Sequence, residues 1–115
     1  MGNSAQLGEV LAKLRKFRDD RDWAQFHDPK NLAISLQLEA SEVLELFQWT
    51  QDNKIKPGSE DKLAAELADV FYWTLMLADK HGIDLLAALE HKMVENEAKY
   101  PIDKAKGSSA KYTEL

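Results

Sequence analysis

The chain has 115 residues, of which 44% are hydrophobic and 30% charged, and its formal net charge is -5 at pH 7. This composition is typical of one globular domain and excludes a disordered chain, while the negative charge argues against a nucleic-acid polymer as partner. Because the sequence contains no cysteine, a disulfide framework and a cysteine-ligated zinc site are also excluded.

The first half of the chain predicts two helices. One is expected from Gln6 to Asp20, where apolar residues recur at helical spacing. A short aromatic connection follows it. Asp28 and Pro29 then have the residue types of a helix N-cap and a first helical position. The second helix is expected to run from Pro29 to about Thr50.

The second half of the chain predicts two further helices. Ser59 is a typical N-cap for the third helix, which we expect to end near Lys80 because Gly82 tolerates the left-handed conformation. Asp84 is expected to cap the fourth helix, and Pro101 must end it because proline cannot continue a helix.

Residues 1–101 are therefore predicted to form a single all-α domain with a four-helix, bundle-like architecture. Residues 102–115 are polar and are expected to form a mobile tail, with Tyr112 as its point of attachment. No apolar run reaches the roughly 20 residues of a membrane helix, and residues 1–4 show no signal-peptide pattern. We therefore expect a cytoplasmic protein that has no membrane partner.

Acidic residues of the second helix lie where apolar residues would be expected. At about 100° per residue, Leu32 and Val43 lie within about 40° of Glu39, so Glu39 occupies the middle of an apolar stripe. Glu42 lies about 60° from Glu39, at the edge of the same stripe.

The third helix repeats this arrangement. Val70 and Trp73 lie within about 40° of Glu66, and Asp69 lies about 60° away, in the position that Glu42 holds on the second helix. Two such helices packed together would bring four carboxylates to one place.

Ionised carboxylates that face a core are costly unless they are paired or bind a metal. No lysine or arginine set lies on the same stripes, and oxygen ligands suit magnesium, with manganese as a substitute. The sequence therefore predicts a metal site at Glu39, Glu42, Glu66 and Asp69. The alternative is that these faces are exposed to solvent or are paired with basic residues of another subunit.

Three other interpretations remain open from the residues alone. Glu45 lies towards the polar side of its helix and is either an outer ligand, a base for a water molecule, or an ordinary surface residue. A di-iron or di-manganese oxidase is disfavoured because such bundles use Glu-x-x-His pairs, which this sequence lacks. The third alternative is a non-catalytic helical module that binds a partner or a nucleotide, in which the acids form a charged contact surface.

The acids form an ExxE motif, Glu39-Ala40-Ser41-Glu42, and an ExxD motif, Glu66-Leu67-Ala68-Asp69. With the residues around them, they resemble the MazG-like, all-α nucleoside triphosphate pyrophosphohydrolases, and most of all the dCTP pyrophosphatase group. The flanking residues that carry this resemblance are Arg21-Asp22-Trp23, Phe26-His27, Pro29, Asn31-Leu32, Glu45-Leu46-Phe47-Gln48-Trp49, Ile83-Asp84-Leu85, Lys92, Asn96 and Tyr100-Pro101.

The resemblance implies hydrolysis of a nucleoside triphosphate to the monophosphate and pyrophosphate, with magnesium held by the four acids of the two motifs. It favours dCTP or a modified cytidine analogue as substrate. The expected role is removal of unwanted nucleotides from the nucleotide pool. The resemblance also implies self-association as a homodimer or homotetramer.

The resemblance further implies contacts with the nucleotide. Trp23 and Trp49, at the two ends of the second helix, are expected to hold the base, and His27 is a weaker candidate beside them. On the fourth helix, Lys92, Asn96 and Tyr100 are spaced i, i+4, i+8, so they lie along one face and are expected to contact phosphate or sugar. For each aromatic residue, ordinary core packing is the alternative.

Overall fold

The computed structural model describes residues 2–115, with side chains from residue 5 onward, and Met1 lies outside it. The α-helices within this range are α1 (Gly2–Asp20), α2 (Pro29–Glu45), α3 (Glu60–Lys80), α4 (Leu85–Lys99) and the short α5 (Ile102–Ala105), with 3-10 turns at Ala24–Phe26 and Tyr112–Glu114. Residues 2–115 contain no strand, which confirms the all-α prediction. Over the same range, no helix is both long and apolar enough to span a membrane.

The described residues form two compact units, one ending at Gly82 and the other covering residues 83–115. In the first unit, α2 packs against α3. Its core is formed by the side chain of Leu32 from α2 and by those of Leu75, Met76 and Ala78 from α3. Leu32 lies within about 20° of Glu39 and so belongs to the apolar stripe of α2 that includes the acidic motif.

The second unit contains α4, α5 and the last 3-10 turn. The Tyr112 ring packs edge-on against the Tyr100 ring, with centroids 6.0 Å apart, and the Lys99 ammonium lies 4.9 Å from the Tyr112 centroid. The expected attachment at Tyr112 is thus present. The domain boundary at residue 101 and the mobility of residues 102–115 stay predictions.

Most of the predicted helix ends agree with the structure, including the end of α1 at Asp20 and the end of α3 at Lys80. The Asp28 carboxylate accepts a hydrogen bond from the backbone N–H of Asn31 at 2.8 Å, and the Asp84 carboxylate caps α4 in the same way through Ala87. Gly82 follows the end of α3 with φ of 65°, the left-handed conformation that favours glycine. Side-chain chemistry therefore determines where α2 and α4 begin.

Two predicted ends, the start of α1 and the end of α2, were wrong. α1 begins at Gly2 rather than Gln6, and α2 ends at Glu45, before the predicted Thr50. After Glu45 the N–H groups of residues 46–48 donate to carbonyls three residues back, which tightens the chain into a turn. Ser59 precedes α3, but its buried side chain makes no capping hydrogen bond.

An ion-pair network joins α1 to α3. Arg15 donates to the Asp79 carboxylate at 2.6 and 2.9 Å, and Arg18 donates to it at 3.3 Å. The Arg21 guanidinium lies 3.8 Å from the centroid of the Phe17 ring and donates to the Phe17 carbonyl at 2.9 Å. Asp79 is therefore the acceptor that connects the two helices.

We expect Asp79→Asn to lower the free energy of unfolding by about 1 kcal/mol at pH 7, since two guanidinium groups lose their charged acceptor in a partly solvent-screened site. The hydrogen bond from Arg15, above all, lowers the pKa of Asp79 below its usual 3.8. The folded state therefore binds fewer protons than the unfolded state, so this stabilisation is present above pH 3.8 and is lost as the pH falls through the folded pKa.

Urea unfolding of wild type and variant at pH 7 and at successively lower pH measures this difference. Asp20→Asn is the matched control, because Asp20 pairs only with the exposed Lys16 on its own helix and such pairs contribute little. If Asp79→Asn and Asp20→Asn lower the free energy of unfolding equally at pH 7, the ion pairs between α1 and α3 stabilise the fold no more than a surface pair does.

Candidate active site

The packing of α2 against α3 brings three of the predicted carboxylates together. Glu39 and Glu42 lie one turn apart on α2, and Glu66 faces them from α3. One carboxylate oxygen from each lies within 4.8 Å of those of the other two. The periodicity that placed these acids on apolar stripes thus corresponds to a cluster in the fold.

The cluster contains polar atoms that the protein leaves unpaired. Oε2 of Glu39 and Oε2 of Glu66 are buried and have no hydrogen-bond partner within residues 5–115. Burial, followed by the proximity of Glu42, raises the pKa of Glu39 to about 7. A hydrogen bond to Glu42 raises the pKa of Glu66, and the same bond lowers the pKa of Glu42, its acceptor.

The donor set fits a divalent metal ion. Buried, unpaired carboxylate oxygens are costly, and a hard cation removes both the lost hydrogen bonding and the repulsion between the acids. All the available donors are carboxylate oxygens, the ligands that magnesium and manganese prefer. The arrangement therefore defines a candidate metal centre.

Two other predicted acids lie outside this close group. Asp69 is exposed on α3, and its charge contributes to the raised pKa of both Glu39 and Glu66, so it lies near them. Glu45 lines a different pocket of about 480 Å³ at the end of α2, together with Ser41, Leu44, Phe47 and Gln48. The ligand role of Asp69 and the catalytic role of Glu45 stay predictions.

We expect Glu39→Gln to stabilise the metal-free protein by about 1 kcal/mol at pH 8, allowing for solvent screening of the cluster. The folded pKa of Glu39 near 7 exceeds its ordinary 4.5, so the wild type loses stability as the pH rises from 4.5 through 7. Glutamine carries no charge and avoids this loss.

Thermal unfolding in EDTA at pH 5 and pH 8 tests the expectation. The gain in thermal stability of Glu39→Gln over wild type should be present at pH 8 and nearly absent at pH 5. Glu60→Gln, at the exposed start of α3, is the control and should show no such dependence. A destabilised Glu39→Gln protein at pH 8 would mean that the carboxylate has a favourable partner.

An aromatic cleft with a volume of about 270 Å³ is formed by α2, α3 and the connection before α2. It is lined by Trp23, Phe26, His27, Asn31, Leu32, Ser35 and Trp73. The rings of His27 and Trp73 meet edge-on, with centroids 5.7 Å apart. Burial lowers the pKa of His27, so its imidazole is neutral at pH 7 and offers one donor and one acceptor.

Helical geometry places the cleft next to the carboxylates. Ser35 lies one turn before Glu39 on α2, about 6 Å along the helix axis, and Trp73 lies one turn after Asp69 on α3. The same two helices therefore carry the cleft at one level and the acids at the next. A ligand could occupy both at once.

The remaining predicted contact residues are distributed differently. Trp49 is 89% exposed, has φ of 63°, and does not line the cleft that contains Trp23 and His27. In the second unit, Lys92 donates to Glu95 at 3.2 Å. Their nucleotide contacts stay predictions.

The side chain of Asn96 is half-buried, and its backbone carbonyl accepts the N–H of Tyr100 at 2.8 Å. Tyr100 in turn packs against Tyr112, as described above. The phosphate or sugar contacts of Asn96 and Tyr100 also stay predictions.

The sequence interpretation assigned no binding role to five residues of the cleft: Phe26, Asn31, Leu32, Ser35 and Trp73. Trp73 was counted only as part of an apolar stripe, although it lies seven residues after Glu66 and four after Asp69. Asn31 and Ser35 precede Glu39 by eight and four residues, which puts them on the same face of α2. The shared face was the signal that could have identified them.

The structure thus defines a helical protein with a carboxylate cluster, a candidate metal centre, beside an aromatic cleft. Comparison with known proteins agrees with this class. Residues 34–115 match the model of the MazG-like family. The chain belongs to this family, which confirms the resemblance seen in the motifs.

Several relatives are enzymes. The chain is 41% identical to dCTP pyrophosphatase 1 of Homo sapiens over 114 residues, which covers 95% of this chain and 67% of the human protein. It is 39% identical to the Rattus norvegicus protein of the same name, with the same coverage. A crystal structure of a pyrophosphatase from Archaeoglobus fulgidus DSM 4304 matches with a TM-score of 0.72 and 39% identity, over 84% of this chain and 93% of that one. These relatives confirm the prediction of an enzyme of the pyrophosphatase type.

Proposed function

We propose that this protein is a magnesium-dependent nucleoside triphosphate pyrophosphohydrolase, with dCTP or a modified cytidine analogue as substrate. The observation that carries the proposal is the adjacency of the aromatic cleft and the carboxylate cluster on α2 and α3. A nucleotide bound with its base in the cleft would extend its phosphates towards the acids. The names of the relatives support both the reaction and the first choice of substrate.

Glu39, Glu42, Glu66 and Asp69 would hold magnesium, for which manganese could substitute. When bound, the ion would supply Lewis-acid polarisation of the phosphate and a more acidic water. The protein's own contribution is to hold several negatively charged oxygens together in a partly buried site. A neutral or basic site would not attract the cation. Pyrophosphate and the nucleoside monophosphate are the expected products.

The cleft would bind the base. Its volume of about 270 Å³ accommodates one nucleobase but not a whole nucleotide, so sugar and phosphates would lie outside it. Trp23 and Trp73 offer ring faces for stacking, which gives affinity for any base. His27 would add one donor and one acceptor, which orient the base edge.

We further propose that Lys92, Asn96 and Tyr100 donate to phosphate or sugar oxygens, and that Trp49 contacts the base. The strong exposure of Trp49 is consistent with a contact completed by a second copy of the chain in a homodimer or homotetramer. A cytoplasmic location is proposed on the absence of cysteine.

The test is to incubate the purified protein with each of the four dNTPs and four NTPs, with magnesium or with EDTA, and to resolve the products. Monophosphate plus pyrophosphate, formed only with the metal and fastest with a cytidine nucleotide, is expected. Diphosphate plus orthophosphate would contradict the proposed position of attack. The absence of turnover together with nucleotide-dependent stabilisation would favour a non-catalytic nucleotide-binding module.

A further inference from the structure

Ser35 places a hydroxyl group in a cleft whose other walls are largely aromatic and aliphatic. It is half-buried on α2, beside the fully buried Leu32, and Trp73 faces the same space from α3. Isolated polar groups in an apolar pocket usually fix the orientation of a ligand. The Ser35 hydroxyl is therefore a candidate contact for a ligand in the cleft.

This hydroxyl makes no hydrogen bond with any residue of the range 5–115, although helical serine and threonine commonly donate to the carbonyl four residues back. Ser41 does so with Gln37 at 3.2 Å, and Thr74 does so with Val70 at 2.7 Å. Ser35 thus retains its donor and its acceptor for a molecule in the cleft.

The other polar groups of the cleft are more constrained. The side-chain amide of Asn31 donates to the Asp28 carboxylate at 2.7 Å and is held by the cap of α2. The ring of His27 packs edge-on against Trp73. Ser35 is also the cleft residue that precedes Glu39 by one helical turn, so it lies on the side of the cleft nearest the carboxylates.

We propose that Ser35 anchors the polar edge of the base through its hydroxyl and so determines affinity for bases that carry hydrogen-bonding atoms. This inference rests on the proposed function, since it assigns the cleft to a base. A hydroxyl both donates and accepts, so it can pair with the ring nitrogen or the exocyclic group of a pyrimidine. Because Ser35 lines the cleft and does not belong to the carboxylate cluster, its effect should appear in binding and not in the chemical step.

Ser35→Ala removes the hydroxyl and leaves the cleft walls in place. We expect its KM for dCTP to rise about tenfold with kcat unchanged, the size expected for one hydrogen bond. For deoxyribose 5′-triphosphate, which lacks a base, KM should not change. Ser35→Thr retains the hydroxyl and should restore most of the affinity for dCTP.

Thr74→Val is the matched control, because it removes a hydroxyl of α3 that is already bonded to the Val70 carbonyl and does not line the cleft. It should leave both KM values near those of wild type. An unchanged KM for dCTP in Ser35→Ala would overturn the proposal, and so would an equal rise for the substrate that lacks a base.

Calorimetric binding of the same two triphosphates keeps the test independent of turnover. If wild type hydrolyses no nucleotide, the proposed reaction fails, yet a tenfold loss confined to dCTP binding in Ser35→Ala would still support the anchor. Equal binding of dCTP to wild type and Ser35→Ala, or no binding of dCTP to wild type, would overturn it.

Discussion

Glu66→Gln is expected to lower kcat about 1,000-fold and to abolish stabilisation by magnesium. The substitution replaces a charged carboxylate of the cluster with a neutral amide. Within residues 5–115, Oε2 of Glu66 is one of two buried carboxylate oxygens without a hydrogen-bond partner. A metal centre contributes several kcal/mol to catalysis, and about 4 kcal/mol corresponds to a factor of 1,000. The amide should fold well because it removes a like charge beside Glu42.

Product analysis with the preferred nucleotide measures the rate, and thermal unfolding across a magnesium titration measures metal binding. Glu60→Gln changes the charge of the same helix by the same amount, outside the cluster, and serves as the control. Wild-type turnover in Glu66→Gln would refute the assigned site. Lost turnover with wild-type stabilisation by magnesium would place Glu66 in a role other than metal binding.

Asp69→Asn extends this test to the fourth predicted ligand. In the described structure Asp69 lies outside the group whose oxygens approach within 4.8 Å, although its charge affects Glu39 and Glu66. A loss equal to that of Glu66→Gln would mean that its side chain moves into the cluster when metal binds. A small loss would restrict the ligands to the other three acids.

The sequence predicted that Glu39, Glu42 and Glu66 lie together because the signal for their placement is local. Periodicity on one helix places Glu39 and Glu42 on a single face, and the same holds for Glu66 on α3. Only one long-range assumption, that these two faces pack together, was needed. The packing of α2 against α3 satisfies it.

The cleft could not be predicted in the same way, since it forms from three separate segments. Trp23 and His27 come from the connection after α1, Ser35 from α2 and Trp73 from α3. Their convergence depends on the path of the chain between α1 and α2, which propensity does not specify. The resemblance identified Trp23 and His27, but it did not identify Trp73.

The helix ends show the same difference between local signals, which the sequence reveals, and long-range contacts, which it does not. Asp28 and Asp84 each cap the start of a helix through their own side chains, so residue type was a sufficient guide. The end of α2 depends on contacts outside the helix, for example the bond from the N–H of Lys56 to the carbonyl of Leu46. Such a bond leaves no trace in the periodicity of residues 46–50.

Trp73→Ala is expected to raise KM for the preferred nucleotide about 50-fold, with a much smaller change in kcat. Stacking of one base on an aromatic residue contributes about 1–3 kcal/mol, which corresponds to a factor of roughly 5–150. Trp73 forms a wall of the cleft, one helical turn beyond Asp69, so its loss should weaken base binding while the carboxylate cluster stays intact.

Steady-state kinetics with dCTP and with deoxyribose 5′-triphosphate separate the two contributions. Trp73→Phe keeps an aromatic face and should lose much less affinity. Phe71→Ala is the control for the loss of an aromatic residue from α3, because Phe71 is 52% exposed and does not line the cleft. Trp73→Ala, Trp73→Phe and Phe71→Ala should first be shown to unfold at temperatures close to that of wild type.

The substrate without a base makes the result decisive. If Trp73 only supports the fold near the carboxylates, Trp73→Ala should impair both substrates equally, and kcat should fall together with the affinity. If Trp73 binds the base, the loss should be confined to dCTP and appear in KM. The second outcome would show that base recognition and phosphate chemistry occupy successive turns of the same two helices, as their spacing on α2 and α3 requires.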